Sequence, residues 1–154
     1  MDQALKGHDL VLTTSNGTDA IEKSLPAKEM LVGGFVNSSA IKHYLAQKEA
    51  DVILICAGWK NRFNLEDSLF AGQLIHEMEG KNTVGCDGAL AAEQLYLGMQ
   101  NNVKGFLKQA SHFQRLKNLG IEEDIDFCLS LDKAPVVPYY NGISLTVMEA
   151  YQDA

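Results

Sequence analysis

Short apolar runs alternate along the chain with longer stretches whose apolar residues recur every three or four positions. DLVLTT (9–14), MLVGGFV (30–36) and ADVILICAG (50–58) are the strand candidates. The third is the clearest: apolar residues run without a break from Val52 to Cys56, which suits a strand covered on both faces. Helical patterns lie between and after them. Ile41, Tyr44 and Leu45 recur within 38–50. Leu65, Leu69, Gly72 and Ile75 form one stripe within 65–78, with Phe70, Leu74 and Met78 beside it. Ala92, Leu95, Tyr96 and Met99 mark a helix over 88–100.

Beyond Asn101 the pattern predicts consecutive helices, with Gly120 closing one of them. APVVPYYNGISLTV then predicts a hairpin turning at Asn141-Gly142, its first strand pushed to a sheet edge by Pro135 and Pro138. Strand–helix alternation predicts an α/β fold: a three-layer α/β/α arrangement with a mostly parallel sheet and the C-terminal hairpin at its edge. No repeat, low-complexity run or linker interrupts the 154 residues, so one domain is expected over 1–154.

That fold gives the polar loops a meaning. In a parallel α/β sheet, ligands bind beyond the carboxyl ends of the strands. The three strand candidates run into TTSNGT (13–18), NSSA (37–40) and WKNRFNLED (59–67). Hydroxyls, amides and helix starts are neutral donors that suit an anion. The plainer reading is that Ser, Thr and Asn cap helices and Asn-Gly makes turns. The site reading therefore requires the tips after residues 14, 36 and 58 to meet. The glycine spacing fits neither a Walker A loop nor a dinucleotide fingerprint.

Asn64 is a good helix cap, which puts Glu66 and Asp67 in a first turn where the dipole favours acids. The sharper reading is that one of them, with Asp87 in GCDGAL, holds a hard cation such as Mg²⁺, which takes one or two carboxylates beside phosphate oxygens. His43 and His76 lie mid-helix, on solvent or packing faces. His112 stands at a helix start. Arg62 is a solvated arginine by default and an anion clamp by the alternative.

Charge narrows the partners. Against 13 basic residues stand 20 acidic ones, and a net charge of −7 repels a nucleic-acid backbone. A small anion is still allowed where a local site opposes the overall field. Three widely spaced cysteines make neither a disulfide framework nor a zinc pattern, and Cys56 is expected in the core. The absence of a long apolar run predicts a soluble, cytoplasmic protein without a membrane partner.

TTSNGTDAI, GGFVNSSAI, VILICAGWKNRFNLEDSLFAG, DGALAA and LKNLGIEEDIDFCLSLDKAPVVPYYNG occur in an order that resembles the 2-phosphosulfolactate phosphatase (ComB) family, from about Asp9 to Gly142. The resemblance implies a magnesium-dependent phosphomonoesterase that acts on 2-phosphosulfolactate and, in methanogens, serves coenzyme M synthesis. Carried over by motif position, Thr14, Asn16, Gly17 and Thr18 are the phosphate cradle and Asn37 a second-loop donor. Glu66 and Asp67 are the acidic pair expected to be catalytic. Asp67 and Asp87 are the expected metal ligands. Family members carry an N-terminal portion with Asp…Arg-Ala-Thr and Gly-Asn-Ser-Pro motifs that this sequence lacks. The expectation is therefore a homo-oligomer or a missing N-terminal segment. The expected function is hydrolysis of the phosphate monoester of a 2-hydroxy acid. Its rival is a non-catalytic, truncated anion-binding or interaction module.

Overall fold

The computed structural model describes residues 14, 16–81, 83–120 and 122–148. Among them run seven α-helices: α1 (Gly17–Ser24), α2 (Ser38–Leu45), α3 (Leu65–Glu77), α4 (Asp87–Met99), α5 (Val103–Leu107), α6 (Ser111–Asn118) and α7 (Glu122–Cys128). A short antiparallel pair, β1 (Pro138–Tyr140) and β2 (Leu145–Val147), follows. The helices lie where the three- and four-residue spacing predicts them.

α3 is the centre of the molecule. Leu69 is fully buried and packs with Phe35, Leu107, Phe113 and Ile125. Leu74, further along the same helix, packs with Ile41, Tyr44, Met78 and Val137. One helix thus supplies a residue to each of two apolar clusters, and each such leucine contributes about 2–3 kcal/mol by leaving water. Gly72 lets α4 approach closely. A Cβ at Gly72 would lie 2.0 Å from the Ala92 carbonyl oxygen, so the two helix backbones touch there.

The expected mixed helix-and-strand composition is present, but the described residues contain no parallel sheet. The first strand candidate (9–14) falls almost wholly outside them. In the second, only Leu31 bridges, to Tyr139. The chain then turns at Gly33-Gly34 into a 3-10 turn, Phe35–Asn37. Gly33 lies so near the Phe70 ring that a Cβ would come within 2.9 Å of it, and Phe35 packs edge-on to Phe70 at 5.5 Å. Aromatic packing over a glycine pair is thus preferred to strand extension.

The third candidate, 50–58, is not a strand: no backbone hydrogen bond joins 51–57 to another described residue. Ile53 is 83% exposed, and Cys56, expected in the core, is exposed as well. β-Branched residues favour an extended backbone, but a strand also needs a partner ladder. Among the described residues this stretch has no such ladder.

The hairpin is as expected: Pro138 pairs with Val147 and Tyr140 with Leu145, and Gly142 has φ +96° at the turn. It is not at an edge on the β1 side. Val32 N–H donates to the Pro138 carbonyl at 3.0 Å, and Tyr140 N–H donates to the Met30 carbonyl at 2.9 Å. β1 therefore lies between β2 and residues 30–32. Pro138 is tolerated because it is the first residue of the strand, where a missing N–H breaks little of the ladder.

Candidate active site

α3 starts in the way its sequence dictates. The Asn64 side chain accepts a hydrogen bond from Glu66 N–H at 2.8 Å, and the Ser68 hydroxyl donates to the Asn64 carbonyl at 2.8 Å. With the cap satisfied by Asn64, the Asp67 carboxylate is free to reach outside the helix. It accepts from Gly58 N–H at 2.6 Å.

Gly58 has φ +72°, and a Cβ there would lie 2.7 Å from the Arg62 carbonyl oxygen, so only glycine fits. Beyond it, Trp59 and Arg62 exchange both backbone hydrogen bonds around Lys60 and Asn61, whose φ values are +52° and +57°. Two consecutive left-handed residues inside such a bridge make a type I′ turn. Neither Lys60 nor Asn61 is glycine, so the turn stores backbone strain. Lys60 N–H donates to Asn16 Oδ1 at 3.1 Å. The loop after residue 14, the loop after residue 58 and the start of α3 are thus tied into one unit.

The second loop goes elsewhere. Asn37 is buried, and its amide group donates to the carbonyls of Val32 (3.1 Å) and Val136 (3.0 Å) while its oxygen accepts from Gly34 N–H (2.8 Å). Both of its N–H donors are engaged by the backbone. Ser39 donates from its N–H and its hydroxyl to Asp132, at 2.8 and 2.6 Å. These bonds fasten the second loop to residues 132–136, not to the other two loops. Thr14 and Thr18 bond to each other: Thr18 N–H donates to Thr14 Oγ1 at 3.3 Å, and the Thr18 hydroxyl donates to the Thr14 carbonyl. Gly17 opens α1 beside them. Asp87 is the exposed first residue of α4, and no hydrogen bond or ion pair joins its carboxylate to a described residue.

A cluster of cationic and aromatic groups that the sequence reading gave little weight surrounds the third loop. The Lys60 ammonium lies 4.9 Å from the centre of the Trp59 ring, and the Arg115 guanidinium lies 5.9 Å from it. The His112 ring is 6.1 Å from the same ring. A cleft next to them is lined by Glu66, Asn64 and His112 over an apolar floor that includes Phe113 and Ile125. The His112 Nδ1 atom is buried and has no hydrogen-bond partner among the described residues.

Burial decides the protonation of this group. It raises the Asp67 pKa from its ordinary value, against the pull of Gly58 N–H and of His112. Burial also raises Glu66, and the charge of Asp67 adds to the rise. His112 moves the other way: burial and then Arg115 lower it, with Asp67 opposing. Two neighbouring, partly buried carboxylates beside an imidazole can bind a hard cation or accept a proton.

Comparison with known proteins decides the lineage. The family model described as 2-phosphosulpholactate phosphatase matches residues 1–142. The chain belongs to this family. A relative in Thermotoga maritima is 42% identical over 142 residues, covering 92% of this chain and 61% of its own length. One in Caldanaerobacter subterraneus subsp. tengcongensis is 35% identical over 146 residues, covering 94% of this chain and 61% of its own. One in Clostridium tetani is 38% identical over 146 residues, covering 92% and 60%. Each of these relatives is named "Probable 2-phosphosulfolactate phosphatase". The chain spans about three-fifths of their length.

Within this family member, Asn16, Glu66 and Asp67 belong to the unit tied together by these bonds, with Thr14, Gly17 and Thr18 beside Asn16. Gly58, Lys60 and Arg115 were not singled out from sequence. For Gly58 a signal existed: a glycine just after an apolar run and just before an Asn-containing turn. For Arg115 there was none, because it reaches the site across the packing of α6.

Proposed function

We propose that this chain carries the anion- and cation-binding part of a Mg²⁺-dependent phosphatase acting on the phosphate monoester of a 2-hydroxy acid, such as 2-phosphosulfolactate. The names of the relatives support the reaction class. The observation that carries the reading is the continuous link from Asn16 through Lys60 and Gly58 to Asp67.

The residues suit the cation. Glu66 and Asp67 are oxygen donors whose raised pKa values mark unrelieved negative charge in a desolvated place. Asp67 would hold the ion through the carboxylate oxygen that Gly58 does not engage, with Asp87 the further candidate ligand. Bound Mg²⁺ supplies charge stabilisation at the phosphoryl oxygens and acidifies a water. Glu66, shifted toward neutral pH, is suited to accept the proton of the attacking water. Lys60 and Arg115 hold the anion against the Trp59 face, and the backbone N–H groups at the start of α1 add neutral donors. The apolar floor of the cleft keeps bulk water away from the charges.

The exposed apolar stretch Val52–Cys56, which has no backbone ladder to another described residue, supports the further expectation of a second copy or an additional segment beside it. Membrane insertion is not supported: no helix among the described residues is long and apolar enough to cross a membrane. The test is phosphate release from 2-phospholactate-type esters with Mg²⁺ and after EDTA. Activity that EDTA abolishes and Asp67→Asn lowers about a hundredfold or more fits the reading. Full turnover in Asp67→Asn refutes the role of Asp67, and no turnover on any such ester favours the anion-binding module.

A further inference from the structure

The geometry points to a second metal site, built from His76, Glu79 and Glu93, that takes a divalent transition ion of the zinc class. Its donor atoms (one imidazole nitrogen and one oxygen from each carboxylate) all lie within 4.8 Å of one another. His76 Nδ1 is 3.7 Å from Glu93 Oε1 and 3.8 Å from Glu79 Oε2. These separations are too long for N–H···O hydrogen bonds, which close to about 2.7–3.2 Å. They are close to the spacing of donors that share one ion, since ligand bonds of about 2.0–2.2 Å leave tetrahedral neighbours roughly 3.4 Å apart.

The backbone positions the three. α3 and α4 touch at Gly72 and Ala92. His76 lies one turn beyond Gly72, Glu93 is next to Ala92, and Glu79 follows His76 three residues on. The Tyr96 ring, 6.1 Å from the imidazole, limits the tilt of His76. The Glu93 side chain is 14% exposed and Glu79 76%, so the site has an inner ligand and a ligand at its mouth. Neither carboxylate has another hydrogen-bond or ion-pair partner among the described residues; the neighbouring Glu77 is paired with Lys42 at 2.9 Å. An imidazole in the set selects against Mg²⁺ and Ca²⁺ and favours zinc-class ions, and two carboxylates balance the charge of the ion. Asp67 lies nine residues earlier on α3, about 13 Å along the helix axis, so this site is separate from the one proposed for Mg²⁺.

The test uses the full chain with Co²⁺ as a visible probe and Zn²⁺ in calorimetric titration. With Mg²⁺ in excess to occupy the site proposed at Asp67, the expected result is one further ion per chain with ligand-field bands in the visible. His76→Ala and Glu93→Gln should each weaken affinity about tenfold or more, while Asp67→Asn leaves it unchanged. Both altered side chains are at least partly exposed, and circular dichroism checks their folding. Should one variant misfold, the other decides. Absent stoichiometric binding, affinity unchanged in the folded variants, or intense thiolate charge-transfer absorption that survives His76→Ala overturns the proposal, the last by moving the ion to a cysteine.

Discussion

Gly58→Ala isolates the strain on which the candidate active site depends. An alanine at φ +72° pays about 1–2 kcal/mol for a left-handed backbone. Its Cβ would also stand 2.7 Å from the Arg62 carbonyl oxygen, a backbone atom held by its hydrogen bond to Trp59 N–H. Forcing that oxygen aside costs a further 1–3 kcal/mol or so, the scale of overpacking. Gly80 is the internal control: it has φ +80° but open space around it, so Gly80→Ala carries only the first cost. The expected losses are therefore about 2–5 kcal/mol for Gly58→Ala and about 1–2 for Gly80→Ala. Urea unfolding with an unchanged slope measures both. A second readout is local. Displacing Gly58 N–H removes a bond that lowers the Asp67 pKa, so NMR titration should find Asp67 shifted further up in Gly58→Ala and unmoved in Gly80→Ala. Equal losses in the two variants, or an unmoved Asp67 in Gly58→Ala, would refute the role given to the turn.

Leu69→Ala should cost about 3–5 kcal/mol in urea unfolding, because the side chain is fully buried at the centre of one cluster; a loss below about 1 kcal/mol would mean the cluster is misassigned. Asn37→Ala should destabilise by about 2–3 kcal/mol, since Val32, Val136 and Gly34 each lose a partner; if stability holds and only phosphate affinity falls, Asn37 is the ligand donor expected from sequence. Asp67 has a folded pKa above its unfolded value, so its contribution to stability is complete below the ordinary carboxylate range and is lost as pH rises through the folded pKa. Stability measured from pH 3 upward should therefore fall less steeply in Asp67→Asn, and an identical slope would discount the shift. Mg²⁺ at a hundred times its Kd should stabilise the wild type by about 2.7 kcal/mol and the Asp67→Asn variant by far less, as read from thermal melts.

The helices were legible because their signals are local. Asn64 before Leu65, the stripe through Leu69 and Leu74, and Asn141-Gly142 between apolar runs each state their structure within a turn or two of chain. The parallel sheet was not legible, because a strand is a relation between segments. Val52–Cys56 has the composition of a central strand, but the described residues give it no ladder. MLVGGFV reads as a strand until Phe70 and Gly33 are seen in contact, and that contact links positions 37 residues apart. The site divides in the same way. Glu66 and Asp67 were legible from the capped turn. Arg115 was not, since only the packing of α6 brings it to Trp59.

The overall charge of −7 and the local cluster at Trp59 belong to one electrostatic argument. A chain this acidic repels a phosphate ester at long range, so the proposed binding would depend on short-range contacts, where the low dielectric strengthens each one. Lys60 and Arg115, 4.9 and 5.9 Å from the Trp59 ring centre, concentrate positive charge around one indole. If the proposed ester binds there, the carboxylates of Glu66, which lines the cleft, and of the neighbouring, partly buried Asp67 would add two further negative charges beside it. Such a grouping is stable with ester bound only if a proton or a cation is shared among the acids. A proton would leave as the pH rises through their raised pKa values, whereas a divalent cation would keep both acids ionised and lower those values. Ester affinity without Mg²⁺ should therefore weaken with rising pH above the ordinary carboxylate range, and with Mg²⁺ it should stay level. Affinity that responds to pH equally in both conditions would show that the cation and the acids do not share a site.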